Sequence, residues 1–164
     1  MARPSEAMAG SEPQRTTSVL ALTSPAFQDG ETIPTRHTAD GEDLSPPLGW
    51  SAPPEGTRSF AVICEDHDAP SGTFVHWLVW DIDASERRLP EGAVGLPREG
   101  RNGFGVTGYG GPSPPPGLPH RYRFRVLALD TVLGLPNGAR RPAVDQAIAG
   151  HVLAEGGLTG LYGR

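Results

Sequence analysis

The chain of 164 residues has a formal net charge of −5, with 22 glycines, 18 prolines and one cysteine. That length bounds it to one domain with a single core, and the acidic balance excludes general affinity for nucleic acid, which needs clustered Lys and Arg. No segment reaches the ~20 consecutive apolar residues of a membrane span, and a lone Cys64 excludes an intrachain disulfide framework.

Residues 1–17 are small and polar, with no hydrophobic period and no apolar signal-peptide core. They predict a disordered leader ahead of one domain over 18–164, and a cytoplasmic address by default. Within 18–27 the run Val19-Leu20-Ala21-Leu22 predicts an edge strand. The segment up to Pro54 is broken by Asp29-Gly30, Asp40-Gly41, Ser45-Pro46-Pro47 and Ala52-Pro53-Pro54, with Trp50 as its anchor on the core. Phe60-Ala61-Val62-Ile63-Cys64 is apolar throughout, as a strand buried on both faces would be, and it makes Cys64 an inert buried thiol. Phe74 to Trp80 predicts a central strand on which Phe74, His76, Leu78 and Trp80 share a side. A proline- and glycine-rich loop over 108–119 then leads into a strand with Tyr122, Phe124, Val126 and Ala128 inward and Arg121, Arg123 and Arg125 in water. Val144, Ile148, His151 and Val152 at helical spacing predict a helix over 142–155 ended by Gly156-Gly157, with 158–162 as a final strand. The fold class is mainly β: an antiparallel β-sandwich plus a C-terminal helix.

Chemistry concentrates at the strand ends. Asp66 follows one strand, His76 lies in the next, and His120 and Tyr122 open a third; neighbouring strands would bring all four together. Each also fits a structural duty: Asp66 and Asp68 as turn caps, His76 bonded to a backbone carbonyl, Tyr122 in the core. His37 and His151 read as structural or surface residues. The loop's glycines would present bare amides to an anion or polar headgroup, with the prolines keeping it stiff. There is no Gly-x-Ser-x-Gly elbow and no P-loop. Asp66-His67-Asp68 is not a metal site, because adjacent residues of an extended chain point to opposite sides and no Cys-x-x-Cys or His-x-x-x-His supports them.

Eight stretches, in order from residue 20 to 163, carry a resemblance. They are Leu22-Thr23-Ser24-Pro25-Ala26-Phe27, Asp40-Gly41-Glu42-Asp43-Leu44-Ser45-Pro46-Pro47-Leu48, Asp66-His67-Asp68-Ala69-Pro70 and Gly72-Thr73-Phe74-Val75-His76-Trp77. Gly100-Arg101-Asn102-Gly103-Phe104-Gly105, Gly108-Tyr109-Gly110-Gly111-Pro112, His120-Arg121-Tyr122 and Gly150-His151-Val152-Leu153-Ala154-Glu155 complete them. Together they resemble the phosphatidylethanolamine-binding protein family, which includes the Raf kinase inhibitor proteins, and its small bacterial branch in particular. The resemblance implies a sandwich with Greek-key features and a pocket for small anions such as phosphate or a carboxylate. It assigns that pocket to Asp66, His76, Gly110, Gly111, Pro112, His120 and Tyr122, with Asp68 and Phe74 completing the ligand-binding set. It further implies a homodimer and no cofactor. Two departures stand out: His67 where the motif has proline, which would add a titratable group at the rim, and an extra residue in Leu118-Pro119, which bears on where His120 sits.

An anion beside Asp66 poses a like-charge problem, met if the carboxyl or the ligand keeps a proton and His76 and His120 are protonated; binding should then improve below neutral pH. The reading that leads is a small-molecule or anion-binding protein, with a regulatory role open to it. An acid–base lyase or cyclase, with Asp66 or His76 as base and Tyr122 as acid, is the alternative from another class. A kinase or protease inhibitor module is a third. The partners expected are a small anionic or polar ligand, not nucleic acid and not the membrane interior.

Overall fold

Apolar runs bounded by Gly, Pro and Asp become strands here for the reason the pattern gives: each buries at least one face and stops where the chain must turn. A computed structural model describes residues 18–164, so the expected leader lies outside the described residues. In chain order the elements are β1 (Ser18–Val19), β2 (Leu22–Thr23), β3 (Leu48–Trp50), β4 (Ser59–Asp66), β5 (Phe74–Asp83), β6 (Arg88–Leu89), β7 (Arg98–Glu99), β8 (His120–Leu129), α1 (Arg141–Ile148) and β9 (Val152–Tyr162). The main sheet has six strands in the order β1-β9-β8-β4-β5-β7, and a second sheet has three, β2-β3-β6. Every pairing is antiparallel except β1 with β9, which is parallel. The fold is mainly β, a two-sheet sandwich with one helix. No helix among the described residues is long and apolar enough to cross a membrane.

The main sheet is covered on both faces. Between the sheets lie Phe60, Val62, Cys64, Trp77, Val79, Phe124 and Val126 with Trp50 and Leu48 of β3. On the opposite face, Ala61, Ile63, Leu78, Trp80, Leu127 and Leu129 pack under Val144 and Ile148 of α1. This double cover explains why β4 reads as continuously apolar, and why all eight of its residues are buried. Cys64 is only 1% exposed, and burial, followed by the nearby Glu65 and Asp66, raises its thiol pKa well above normal.

Three local expectations change. The apolar run at 19–22 is two strands in different sheets, not one edge strand: the chain crosses between layers at Leu20-Ala21, where Leu20 N–H donates to Glu155 O and Ala21 N–H to Ser51 Oγ. The helix stops at Ile148 instead of running to 155. Gly150 takes left-handed backbone, at φ +82°, and residues from Val152 onward gain far more by pairing along β8 than a lone helical turn would return. Gly156 and Gly157 are therefore interior to β9 and cap nothing. Finally, the arginines of β8 are not all in water. Arg121 is exposed, but Arg125 bonds Glu155 at 2.9 Å and Glu65 at 3.3 Å.

Glu65 is the most deeply placed member of that ion network, its side chain 4% exposed, and Arg141 at the start of α1 reaches it at 2.6 Å. Burial alone would push this carboxyl up; the Arg141 bond and charge, aided by Arg125, outweigh it and bring the pKa down. Removing one partner of such a pair strands the other's charge. Arg141→Ala is expected to cost about 3 kcal/mol, lowering Tm by roughly 6–12 °C in thermal denaturation, whereas Arg98→Ala, which makes only a bond to the neighbouring Pro97 carbonyl, should move it by about 2 °C or less.

Candidate functional site

The register of three adjacent strands builds the site. Asp66, the last residue of β4, is paired with Phe74 on β5 and with Tyr122 on β8. His120 lies two residues before Tyr122 and so faces the same way. His76 arrives by a different route. On β5, Val75 pairs with Glu65 and Trp77 with Cys64, leaving His76 as the extra residue of a β-bulge. The bulge reverses the expected alternation: Phe74 and His76 look into a cavity at the sheet end, while Leu78 and Trp80 pack on the opposite face. The expectation that these four share a side is corrected by that one extra residue.

The cavity holds about 270 Å³ and is walled by Asp66, Phe74, His76, His120 and Tyr122 from the strands. Its other walls include Pro70, Phe104, Ser113, Pro114 and Pro115 from loops. Asp66 accepts from His120 Nδ1 at 2.7 Å through Oδ2 and from the Asp68 amide at 2.8 Å through Oδ1. The His76 ring sits 5.0 Å from Phe74, 5.6 Å from Phe104 and 5.2 Å from Tyr122, centroid to centroid. Its Nδ1–H donates to Gly110 O at 2.5 Å, and Gly110 N–H donates to His76 O at 3.0 Å. Burial lowers the His76 pKa, outweighing the Gly110 bond and the Asp66 charge, so this imidazole is neutral at pH 7 and does not offset an anion's charge. Burial, then the Asp66 charge, raises the Tyr122 phenol far above its usual range, so it stays a hydrogen-bond donor.

The structure separates the remaining expected residues from the cavity. Gly110 and Gly111 do not offer their amides to it: one bonds His76 O, the other donates to Asp43 Oδ1 at 2.9 Å. Pro112 spends its carbonyl on the Ala39 amide. The loop is thus a brace behind His76, and the cavity's loop wall is made by Ser113 to Pro115. Gly110 is needed for close approach, since a Cβ there would lie 2.6 Å from Phe104 Cδ2. Asp68 turns outward and accepts from Arg121 Nη2 at 2.8 Å and Nε at 3.0 Å, which keeps its carboxyl well below the usual range. His67 is not at the rim; its Nε2 lies 3.3 Å from Glu65 on the other side of the strand, as alternation along an extended chain requires. In the loop before it Leu118 stands 87% exposed, and His120 contacts Asp66. His37 bonds the Leu44 carbonyl and His151 bonds Asp130.

Two contributors were not among the expected site residues, although Asp43 lies within one of the eight stretches. Asp43, at φ +61°, reaches 68 residues along the chain to Gly111. Arg164 bonds Pro114 O at 2.9 Å and Asp40 at 2.7 Å, fixing the proline wall from outside. That guanidinium, then the Tyr162 hydroxyl, brings Asp40 down to about 2. Phe104, within the stretch from Gly100 to Gly105, lines the cavity, and only the fold reveals which members of the stretches meet. Among the described residues no three His, Cys, Asp or Glu side chains are grouped to hold a metal ion.

A two-sheet sandwich with an acid, two imidazoles and a phenol gathered at one end of its main sheet defines a recognisable class, and sequence comparison gives its family. The profile described as phosphatidylethanolamine-binding protein matches residues 23–163: the chain belongs to that family. A UPF0098 protein of Aquifex aeolicus is 46% identical over 153 residues, covering 89% of this chain and 90% of its own. UPF0098 protein YbhB of Escherichia coli is 38% identical over 157 residues, covering 87% and 99%. Among solved structures, a putative phosphatidylethanolamine-binding protein homologue from Chlamydia trachomatis superposes with a TM-score of 0.84 at 35% identity, covering 90% of this chain and 99% of its own. Escherichia coli YbcL, described as a member of the mammalian family, gives 0.83 at 34% identity with the same coverage.

The neutral, buried His76 has a consequence for stability. Its folded pKa lies below the unfolded value of 6.5, so the unfolded chain binds more protons in acid. The stability is complete above pH 6.5 and is lost as pH falls below it. Thermal denaturation from pH 8 to 5 should therefore show a steeper acid loss in the native protein than in His76→Gln; parallel curves would refute this assignment.

Proposed function

We propose that the protein binds small oxyanions or oxyacids, of the phosphate or carboxylate kind, in the cavity beside Asp66. The observation that carries this reading is the Asp66–His120 pair, at 2.7 Å. A carboxylate on Nδ1 fixes the ring and leaves Nε2, which has no protein partner among the described residues, toward the cavity. With a proton there, Nε2 is a charge-assisted donor, and the Tyr122 ring lines the same cavity beside it. Apolar walls from Phe74, Phe104 and the prolines lower the local dielectric and strengthen both bonds. Family membership supports the reading in kind, without naming the ligand. A homodimer and a cytoplasmic address belong to the same proposal through the family likeness and the composition.

A second reading, an acid–base enzyme, has one specific feature in its favour. The same Asp66–His120 geometry is how a general base is held, with Tyr122 as an adjacent proton donor. Turnover of a bound ester, abolished in Asp66→Asn at unchanged Tm, would support it; binding without turnover leaves the first reading.

Titration of the full chain with inorganic phosphate by calorimetry at pH 6 tests the main proposal. His120→Ala should weaken binding by about tenfold or more, the loss of one charge-assisted bond of roughly 1.5–3 kcal/mol. Equal affinity in the native protein and the variant would overturn it.

A further inference from the structure

We propose that Thr73 is a nucleophile, with His67 as its general base, at a second site on the outer face of the main sheet, and that it takes the acyl group of small carboxylic esters. This goes beyond the oxyanion reading and uses none of that cavity's polar residues. Alternation along the chain carries His67 to the face of Glu65, and its Nε2 lies 3.3 Å from Glu65 Oε1. Burial opposes ionisation of Glu65, but Arg141 and Arg125 outweigh it and hold the pKa low. The carboxylate can therefore only accept. A bare Nε2 would face it lone pair to lone pair, so the neutral ring carries its hydrogen on Nε2 and its lone pair on Nδ1. Thr73 Oγ1 lies 3.3 Å from that Nδ1 and is the donor of the pair. Its proton is turned to the imidazole, and its own lone pairs are left for an electrophile.

A hydroxyl, an imidazole and a carboxylate in series are the parts of an activated nucleophile, with the carboxylate as the positioning residue. At 3.3 Å the hydroxyl contact has the loose geometry such pairs show before a substrate tightens them. Packing does not call for this series. Thr73 and His67 are both exposed, so a bond between them replaces bonds to water at little gain, and Glu65 is already satisfied by Arg141 and Arg125. Thr73 opens onto a groove of about 340 Å³ that has Phe74 and Val75 as an apolar wall for an acyl chain. Arg101 and Arg140 line the same groove. Neither is ion-paired among the described residues, unlike Arg141, which is spent on Glu65 and Asp145. Two uncommitted guanidinium groups in the groove supply donors for the charge that develops on an acyl oxygen.

The chemistry balances with water as the second reactant. Thr73 Oγ1 adds to the ester carbonyl while its proton passes to His67 Nδ1, and Glu65 holds the imidazolium at Nε2. Collapse breaks the bond to the leaving alcohol, which takes the proton from His67, and the acyl group stays on Thr73 as an ester. Water then loses a proton to His67 as it attacks the acyl carbon. Release of the carboxylic acid returns that proton to Thr73. One ester and one water become one acid and one alcohol. The relay depends on a residue peculiar to this chain, since the proline of the resembled motif at position 67 would have no base to offer.

Reaction of the full chain with 4-nitrophenyl acetate, quenched in acid and mapped by peptide mass spectrometry, tests this. The acetyl group should appear on Thr73. Thr73→Val, close to isosteric, should lose the label, and Thr73→Ser should keep it. His67→Gln should slow acetylation of residue 73 by about a hundredfold or more, the effect of a general base. His67→Pro, which restores the residue of the resembled motif, should do the same, so a folding defect in one variant leaves the other to decide. In the native protein, 15N shifts of His67 should place the hydrogen on Nε2, as Glu65 requires, and an Nδ1–H ring would overturn the inference. So would acetyl groups found only on other residues, an unchanged rate at Thr73 in both His67 variants, or unchanged release of 4-nitrophenol from Thr73→Val. The phosphate titration above is independent of all these outcomes, so either reading can fail without the other.

Discussion

The reciprocal bond between His76 and Gly110 is the constraint on which the site depends. One hydrogen bond runs from the Gly110 amide to the His76 carbonyl, and the other from the His76 ring back to the Gly110 carbonyl. Two partners 34 residues apart are thereby locked in register. A bulged residue lacks a cross-strand partner of its own, and the glycine loop supplies one. The loop in turn has its next amide taken by Asp43. Strand, loop and imidazole are thus one unit: the bulge aims the ring, the loop holds the bulge, and the bond to the loop decides which ring nitrogen carries hydrogen.

The position of the cavity follows from how the main sheet is buried. Both faces are covered along most of β4, β5 and β8, so polar side chains have no place in the middle of these strands without a large desolvation cost. They collect where the cover ends. On the inner face that end holds Asp66, His120 and Tyr122; on the outer face it holds Glu65, Arg125 and Arg141. One residue step along β4 separates a fully ion-paired structural carboxylate from one that opens on a cavity. Alternation of the strand alone assigns these two acids to opposite duties.

Much of this was legible in the sequence, and the failures have a common cause. Strand β4 could be read from its unbroken apolar run, and Asp66, His120 and Tyr122 from their places at strand ends. What simple periodicity misses is a change of period. The bulge at His76 shifts the face of Trp77 to Trp80, a second irregularity then returns Ile82 to the inner core, and no residue type announces either. The helix was overextended because Val152 fits a helical repeat and a β-strand equally well, and only pairing with β8 distinguishes them. The glycine loop looked like an amide cradle because bare N–H groups are implied by composition; which carbonyl or carboxylate takes each of them is a matter of long-range contact. The partners of Asp43 and Arg164, both more than forty residues away, lie beyond any local signal.

The placement of the cations bears on the proposed oxyanion reading. Arg121 is spent on Asp68, Arg164 on Asp40, and Arg125 and Arg141 on Glu65 with Glu155 and Asp145. None of them lines the cavity, and the chain's net charge is −5. An anion is therefore not steered in by a positive field. On the proposed oxyanion reading, recognition therefore rests on hydrogen bonds made inside a cavity walled by aromatic rings and prolines.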